Sequence, residues 1–204
     1  TVCDATTFQC VDPATVAGAT CADPIPVGEL PFVSSGSTSG ISNDFSFEAG
    51  SCEGETGGMG GASSDLVFRF TPEVTGIYDI SVDTSFDAVL YAAVDCAGVD
   101  GTCLGASDNG NPESLSLELN ASETIYLIVD GYSSSLDQSG DYTLTVEPPC
   151  IPTCDGKSCG SNGCGGFCGV CDPEDPAGNT LCDDALGKCV SPASIEGNTC
   201  DNPL

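Results

Sequence analysis

The sequence predicts an all-β chain: an antiparallel, jelly-roll-like β-sandwich joined to a small disulfide-rich module with little regular structure. Three observations point there. Between residues 21 and 148, apolar side chains recur at every second position, the period of a half-buried strand, and no amphipathic helix of useful length interrupts them. From Cys150 the composition turns to glycine and cysteine, with six of each in the 22 residues CIPTCDGKSCGSNGCGGFCGVC. Finally, the chain closes on nearly the residues that open it. At an offset of 179, Thr1–Ile25 and Thr180–Leu204 align without a gap and share 11 of 25 positions.

The sandwich strands are read in order. LVFRF places Leu66, Phe68 and Phe70 on one face and Arg69 on the other. IYDISVD does the same with Tyr78, Ile80 and Val82. AVLYAAV and TIYLIVD are continuously apolar, as strands covered on both faces are. SLSLELN aligns Leu115, Leu117 and Leu119, and YTLTV aligns Tyr142, Leu144 and Val146. TPEVTG, SDNGNP, NASE and SSSLDQSGD are turns rich in Gly, Pro, Asn and Asp. One or two weaker strands are expected before residue 60. The module that follows holds one aromatic in its first 22 residues, Phe167. It cannot build a core, so cross-links must replace one.

The terminal repeat organises the domains. Residues 1–20 read as the end of a preceding Cys-rich module, 21–148 as the sandwich, 149–192 as the disulfide module, and 193–204 as a linker and the first strand of a following repeat. It also accounts for an odd total of 15 cysteines. Cys21 is expected to bond Cys52, and Cys96 to bond Cys103 across a short loop. Cys3 is expected to pair with Cys10, and Cys182 with Cys189, each across a hairpin. Cys150, Cys154, Cys159, Cys164, Cys168 and Cys171 complete the module in an order the sequence leaves open. Cys200 belongs to the next unit, where its partner is that unit's counterpart of Cys52; Leu204 lies on the same inter-unit strand. A free thiol at Cys200 and zinc ligation by Cys168 and Cys171 are the rival readings.

Charge and composition narrow the function. Thirty-one acidic residues face three basic ones, a formal net charge of −28. Nucleic acid, which needs a basic surface, is excluded as a partner. There is no histidine, which removes Ser-His-Asp, Cys-His and His-zinc chemistry. The longest apolar run, AVLYAAV, is far too short to span a bilayer. So many cysteines indicate an oxidising compartment, extracellular or at the cell surface.

SFDAVLYAAVDC, then CLGASDN, then IYLIVDGYSSSLDQSGDYTLTVE resembles the bacterial pre-peptidase C-terminal domain in the order of its motifs, over residues 21–148. The resemblance implies a non-catalytic β-sandwich appended to exported proteins. The segment from Cys150 is similar to the Gly/Cys-rich modules interspersed in secreted bacterial proteins.

Acidic and amide side chains gather at turns: Asp83, Asp87, Asp108, Asn109 and Asp130. Calcium, which takes six to eight oxygens, is the cofactor such a set would hold. The plainer reading is that Asp and Asn are there as turn formers. Asp87, Asp108 and Asn109 lead the metal set because they match the family's positions. No organic cofactor and no catalytic residue is expected. The chain reads as a structural repeat unit of a secreted fibre or stalk, with neighbouring copies as partners. The alternative is an accessory domain that binds polysaccharide or matrix protein for a secreted enzyme.

Overall fold

The computed structural model describes residues 2–3, 10–54, 59–132 and 136–194. The chain divides into two compact units, Thr1–Pro149 and Cys150–Leu204. The first opens with a hairpin of β1 (Val2–Cys3) and β2 (Cys10–Val11), followed by a 3₁₀ turn at Pro13–Thr15. The sandwich strands are β3 (Ile25–Pro26), β4 (Phe32–Ser37), β5 (Leu66–Phe70), β6 (Gly76–Thr84), β7 (Ala88–Ala93), β8 (Cys103–Ser107), β9 (Glu113–Leu119), β10 (Ile125–Gly131) and β11 (Asp141–Val146). A helical turn, α1 (Val99–Thr102), precedes β8.

Two sheets face each other, one ordered β3-β5-β10-β7-β8 and the other β4-β11-β6-β9. The path from β4 to β11 passes between them in jelly-roll order, as expected. Each sheet contributes alternate residues to one core. Leu66, Phe68, Phe70, Leu90, Leu127 and Val129 come from the larger sheet, and Tyr78, Ile80, Val82, Tyr142, Leu144 and Val146 from the smaller. Phe70 meets Tyr78 edge-on at 5.2 Å, and Phe68 meets Tyr142 at 5.9 Å, across the two layers. Arg69 is exposed between its buried neighbours, as the alternation requires.

β7 and β10 are covered on both faces, and the structure shows what covers them. Phe45, Phe47, Met59 and Val99 pack on the outward residues Val67, Val89, Tyr91, Ala93 and Ile128 in a second cluster. Phe47 pairs with Met59 in an isolated bridge and sets its ring edge-on to Tyr91 at 5.0 Å. Two disulfides tie this cover down: Cys21–Cys96 and Cys52–Cys103. The expected partners are therefore exchanged. The stretch between Cys96 and Cys103 folds as α1 and then a bulged strand start opposite Ala93, rather than as a loop that closes on itself.

Residues upstream of 21 belong to the sandwich too. Ala19 is fully buried in the main core and Val16 packs against it. The segment then runs along β5 as a parallel neighbour, with Ile25 opposite Phe68 and Pro26 opposite Arg69. Gly18 accepts the Val67 N–H at 2.8 Å, and Val27 donates to the Arg69 carbonyl at 2.9 Å. Gly18 has φ +85°, and a Cβ there would lie 2.8 Å from Ile25 and 3.0 Å from Leu66. Only glycine fits that approach.

The second unit is held by Cys150–Cys164, Cys154–Cys168, Cys159–Cys182 and Cys171–Cys189. Its strands β12 (Leu181–Asp183) and β13 (Lys188–Val190) form the expected hairpin, with Cys182 opposite Cys189. Those two are not bonded to each other. Opposed side chains leave the same face of a hairpin, and here both reach the glycine-rich loops instead. The sulfurs of Cys159, Cys171 and Cys189 gather within 4.8 Å, so two bridges lie side by side. Both cysteines of the zinc reading, Cys168 and Cys171, are disulfide-bonded. Among the described residues of this unit, Cys159 is the one buried apolar side chain, and Phe167 and Val170 are 77% and 90% exposed.

The sulfurs of Cys3 and Cys10, together with Cys200 and Leu204, lie outside the described residues. No helix among those described is long and apolar enough to cross a membrane.

Reduction should separate the two units. Four bridges at about 2–4 kcal/mol each replace a core in the second, whereas the first keeps its apolar interior. With excess dithiol, amide NMR signals of residues 150–190 should collapse to random-coil positions while those of β5, β7 and β10 stay dispersed. Joint loss of both sets would refute this division of labour.

Candidate functional site

The sequence-derived metal set is distributed as follows. The registers Leu90–Ser107 and Ala88–Gly131 carry Asp87, Asp108 and Asn109 to one end of the larger sheet. The exposed Asp87 accepts from the Gln138 side chain at 3.5 Å, and its carbonyl accepts the Tyr132 N–H at 3.0 Å. Asp83 lies on the smaller sheet and accepts from the Asn111 amide at 3.4 Å, which also bonds both backbone groups of Thr84. Asn109 donates its backbone N–H to Glu113 at 2.8 Å. Among the described residues no three carboxylates come within 4.8 Å of one another. Asp83, Asp87 and Asn109 each make hydrogen bonds at the turns they occupy.

Glu113 organises that turn, and the sequence reading passed over it. Its buried carboxylate accepts from the Ser107 hydroxyl at 2.7 Å and from the N–H groups of Asn109 and Gly110 at 2.8 and 2.9 Å. It is the counterpart of a capping carboxylate, closing three donors that the turn leaves unpaired.

Asp130 is elsewhere. Outward alternation on β10 points it beneath the covering segment, where it is fully buried. Its Oδ2 accepts the Tyr91 hydroxyl at 2.9 Å and its Oδ1 the Gly131 N–H at 2.7 Å. Gly60 passes directly over this carboxylate; a Cβ at Gly60 would lie 2.0 Å from Asp130 Oδ2. Asp65, just ahead of β5, is equally buried and holds the cover from below. Its Oδ2 accepts the N–H groups of Asp44 and Phe45 at 2.9 and 2.8 Å. Its Oδ1 has no hydrogen-bond partner, and neither has the hydroxyl of Ser42, whose carbonyl accepts the Asp65 N–H.

Two buried carboxylates thus sit close enough to repel one another. Burial lifts Asp65 to about 7, against the pull of the Phe45 and Asp44 N–H groups. Asp130 is raised well above its ordinary value, first by burial and then by the negative charge of Asp65. Burial, and after it the charge of Asp130, raises the Tyr91 phenol. Tyr91 therefore remains a donor to Asp130. The chemistry available here is proton storage beneath a loop. Arg69, the one basic residue in the sequence of the first unit, is exposed on β5 and gives no counter-charge at this place. A shallow cleft of about 510 Å³ opens over the same segment between Asp44, Phe45, Cys96 and Asp100, and its floor includes the Cys21–Cys96 bridge.

The pH dependence follows. Asp65 rises from 3.8 to about 7 on folding, so the folded state keeps a proton that the unfolded chain releases. Stability is greatest below the lower value, declines as the pH climbs between the two, and levels off above the upper. The shift corresponds to on the order of 4 kcal/mol at most. The sandwich should melt at a lower temperature at pH 8 than at pH 4.5, and Asp65→Asn should remove at least half of that difference. An unchanged slope in the variant would assign the effect to surface repulsion instead.

No family model matches the chain, and no curated protein matches it. Among solved structures it is similar to the pre-peptidase C-terminal domain of a collagenase from Bacillus anthracis, at 18% identity and a TM-score of 0.39, over 61% of this chain and 94% of that one. It is also similar to PliG, a periplasmic inhibitor of g-type lysozyme from Aeromonas hydrophila, at 14% identity and a TM-score of 0.39, over 61% and 94% of the two chains. A third is the CBM36-1 domain of a multidomain xylanase from the hindgut metagenome of Trinervitermes trinervoides, at 9% identity and a TM-score of 0.30, over 58% and 99%.

Proposed function

We propose that this chain is a non-catalytic structural repeat unit of a secreted fibre or stalk, in which β-sandwiches alternate head to tail with disulfide modules. One observation carries the reading: the terminal repeat is a repeat of fold as well as of sequence. β1 and β2 pair Val2 with Val11 and Cys3 with Cys10, and β12 and β13 pair Leu181 with Val190 and Cys182 with Cys189, each 179 residues on. Both hairpins run into a 3₁₀ turn, at Pro13–Thr15 and Pro192–Ser194. The turns are closed alike. Thr15 N–H and hydroxyl reach the Asp12 carbonyl at 2.9 and 2.8 Å, and Ser194 N–H and hydroxyl reach the Ser191 carbonyl at 2.9 and 2.7 Å.

Six disulfides among the described residues support an oxidising, extracellular setting. The absence of histidine and the likeness of motif order to pre-peptidase C-terminal domains support a role without catalysis. An accessory role in binding polysaccharide has less behind it. The exposed aromatics among the described residues are Tyr132 and Phe167, in different units, and make no platform.

Arrays of two, three and four units joined at the 179-residue period test the proposal by small-angle scattering. The maximum dimension should grow by a constant increment per unit. Growth with roughly the square root of unit number, the behaviour of a flexible linker chain, would overturn the stalk.

A further inference from the structure

We infer that residues 180–204 and 1–25 are two copies of one shared element, whose first half completes the disulfide module before it and whose second half laces the sandwich after it. The inference rests on the repeat-unit reading and names the partner surface and the covalent bonds that reading needs.

The argument starts from what each half does where its partners are present. In the second unit the hairpin half gives Cys182 to Cys159 and Cys189 to Cys171. In the first unit the lace half seals β5: Ala19 enters the core, Gly18 and Val27 bond the β5 backbone, and Cys21 bonds Cys96. The two copies agree at the positions this work requires. Gly197 stands for Gly18, Cys200 for Cys21, Pro192 for Pro13 and Pro203 for Pro24, with Ile195 for Val16 and Leu204 for Ile25. Gly18 is demanding, because its positive φ and its contact with Ile25 and Leu66 exclude any side chain. A segment retained merely as a linker would have no need of glycine there.

In the inferred array each copy would have both halves of these surroundings. The hairpin of β1 and β2 presents Cys3 and Cys10 where Cys182 and Cys189 stand, and their partners are the Cys159 and Cys171 of a preceding unit. The segment ending at Leu204 presents Cys200, whose partner is the Cys96 of a following unit. Because Cys21 bonds Cys96 rather than Cys52, the inferred partner of Cys200 is a counterpart of Cys96, and the inference sets an inter-unit bond for Cys3 and for Cys10 against the expectation that they pair with each other. The docking surface is the outer edge of β5, a row of backbone groups that strand addition satisfies. Its occupant is the lace of the preceding unit. With both halves engaged, Cys3, Cys10 and Cys200 become inter-unit bonds under this inference.

Two reciprocal fusions test this. In the first, residues 1–204 run directly into residues 26–204 of a second copy, so that Thr180–Leu204 must lace the second sandwich. In the second, residues 1–179 run into residues 1–204, so that Thr1–Ile25 must complete the first module. Peptide mapping without reduction should recover Cys200 bonded to the second copy's Cys96 in the first fusion. In the second it should recover Cys3 with the first copy's Cys159 and Cys10 with its Cys171. Gly197→Ala in the first fusion should speed hydrogen exchange at the second copy's Val67 amide on the order of tenfold and leave the first copy's unchanged. Recovery of Cys200 as a free thiol or on any other cysteine overturns the inference. So does an unaltered exchange rate, or failure of the second sandwich to fold in the first fusion when it folds in the second. A flexible array with these bonds present would refute the stalk but not the shared element, and a rigid array without them would do the reverse.

Discussion

The outer edge of β5 is the constraint on which the first unit depends. β5 bonds β10 along one side, and without residues 18–27 its other side would offer the Val67 N–H and the Arg69 carbonyl to solvent or to another chain. The lace removes that edge and seals the main core with Ala19 and Val16. It also delivers Cys21 to Cys96, which pins the loop after β7. Loss of the lace therefore opens an edge, uncovers apolar surface and releases the cover of the outer face together. Elements with such different tasks are coupled because one strand edge has a single occupant.

A second constraint comes from charge. The chain carries 31 acidic side chains against three basic ones, and among the described residues three of the acids, Asp65, Glu113 and Asp130, lie buried in the first unit. A buried carboxylate without a cation is tolerated when its oxygens meet donors or when it keeps a proton. Glu113 takes the first route, with a hydroxyl and two N–H groups on its oxygens. Asp65 and Asp130 have fewer donors, and a neighbouring carboxylate (Asp44 for Asp65, Asp65 for Asp130) adds to the effect of burial, so they take the second. Their positions explain the choice. They lie under Phe45 and Gly60, where the segment descends to cover β7 and β10; Asp65 holds the cover by the Asp44 and Phe45 N–H groups, and Asp130 lies directly beneath Gly60.

Much of this architecture is legible in the chain because the sandwich obeys the two-residue period. LVFRF, IYDISVD and YTLTV each alternate cleanly, and the unbroken apolar run of AVLYAAV reports a strand buried on both sides. The covering segment left no such trace. Phe45, Phe47 and Met59 sit in an irregular, glycine-rich stretch that has no period to read. β8 escaped because CLGAS carries small residues on both faces, and β3 was legible only as a weak strand because two residues make no pattern. Disulfide partners were misjudged wherever nearness in sequence stood in for nearness in space: α1 separates Cys96 from Cys103, and the hairpin turns Cys182 and Cys189 outward to the loops. Asp65 and Glu113 were hidden for another reason. Among so many acids, a buried one differs only in its surroundings, and those are a property of the fold.

The placement of the proposed shared element would give the proposed repeat a mechanical logic. Domains usually meet at linkers that few contacts cross, and relative motion is the default there. Here Asp12 alone separates β2 from the 3₁₀ turn, and Ser191 alone separates β13 from its counterpart. A proline follows in each case, with its φ fixed, and the Asp12 side chain caps the turn through the Ala14 N–H. Hairpin and turn are thus joined through one residue in both copies, and under the proposed array each half of the shared element would be bonded into a different body. A unit whose boundary fell between domains would need a separate interface to resist bending. A unit whose boundary runs through a doubly anchored segment needs none, because the chain that crosses the joint is already part of the fold on either side.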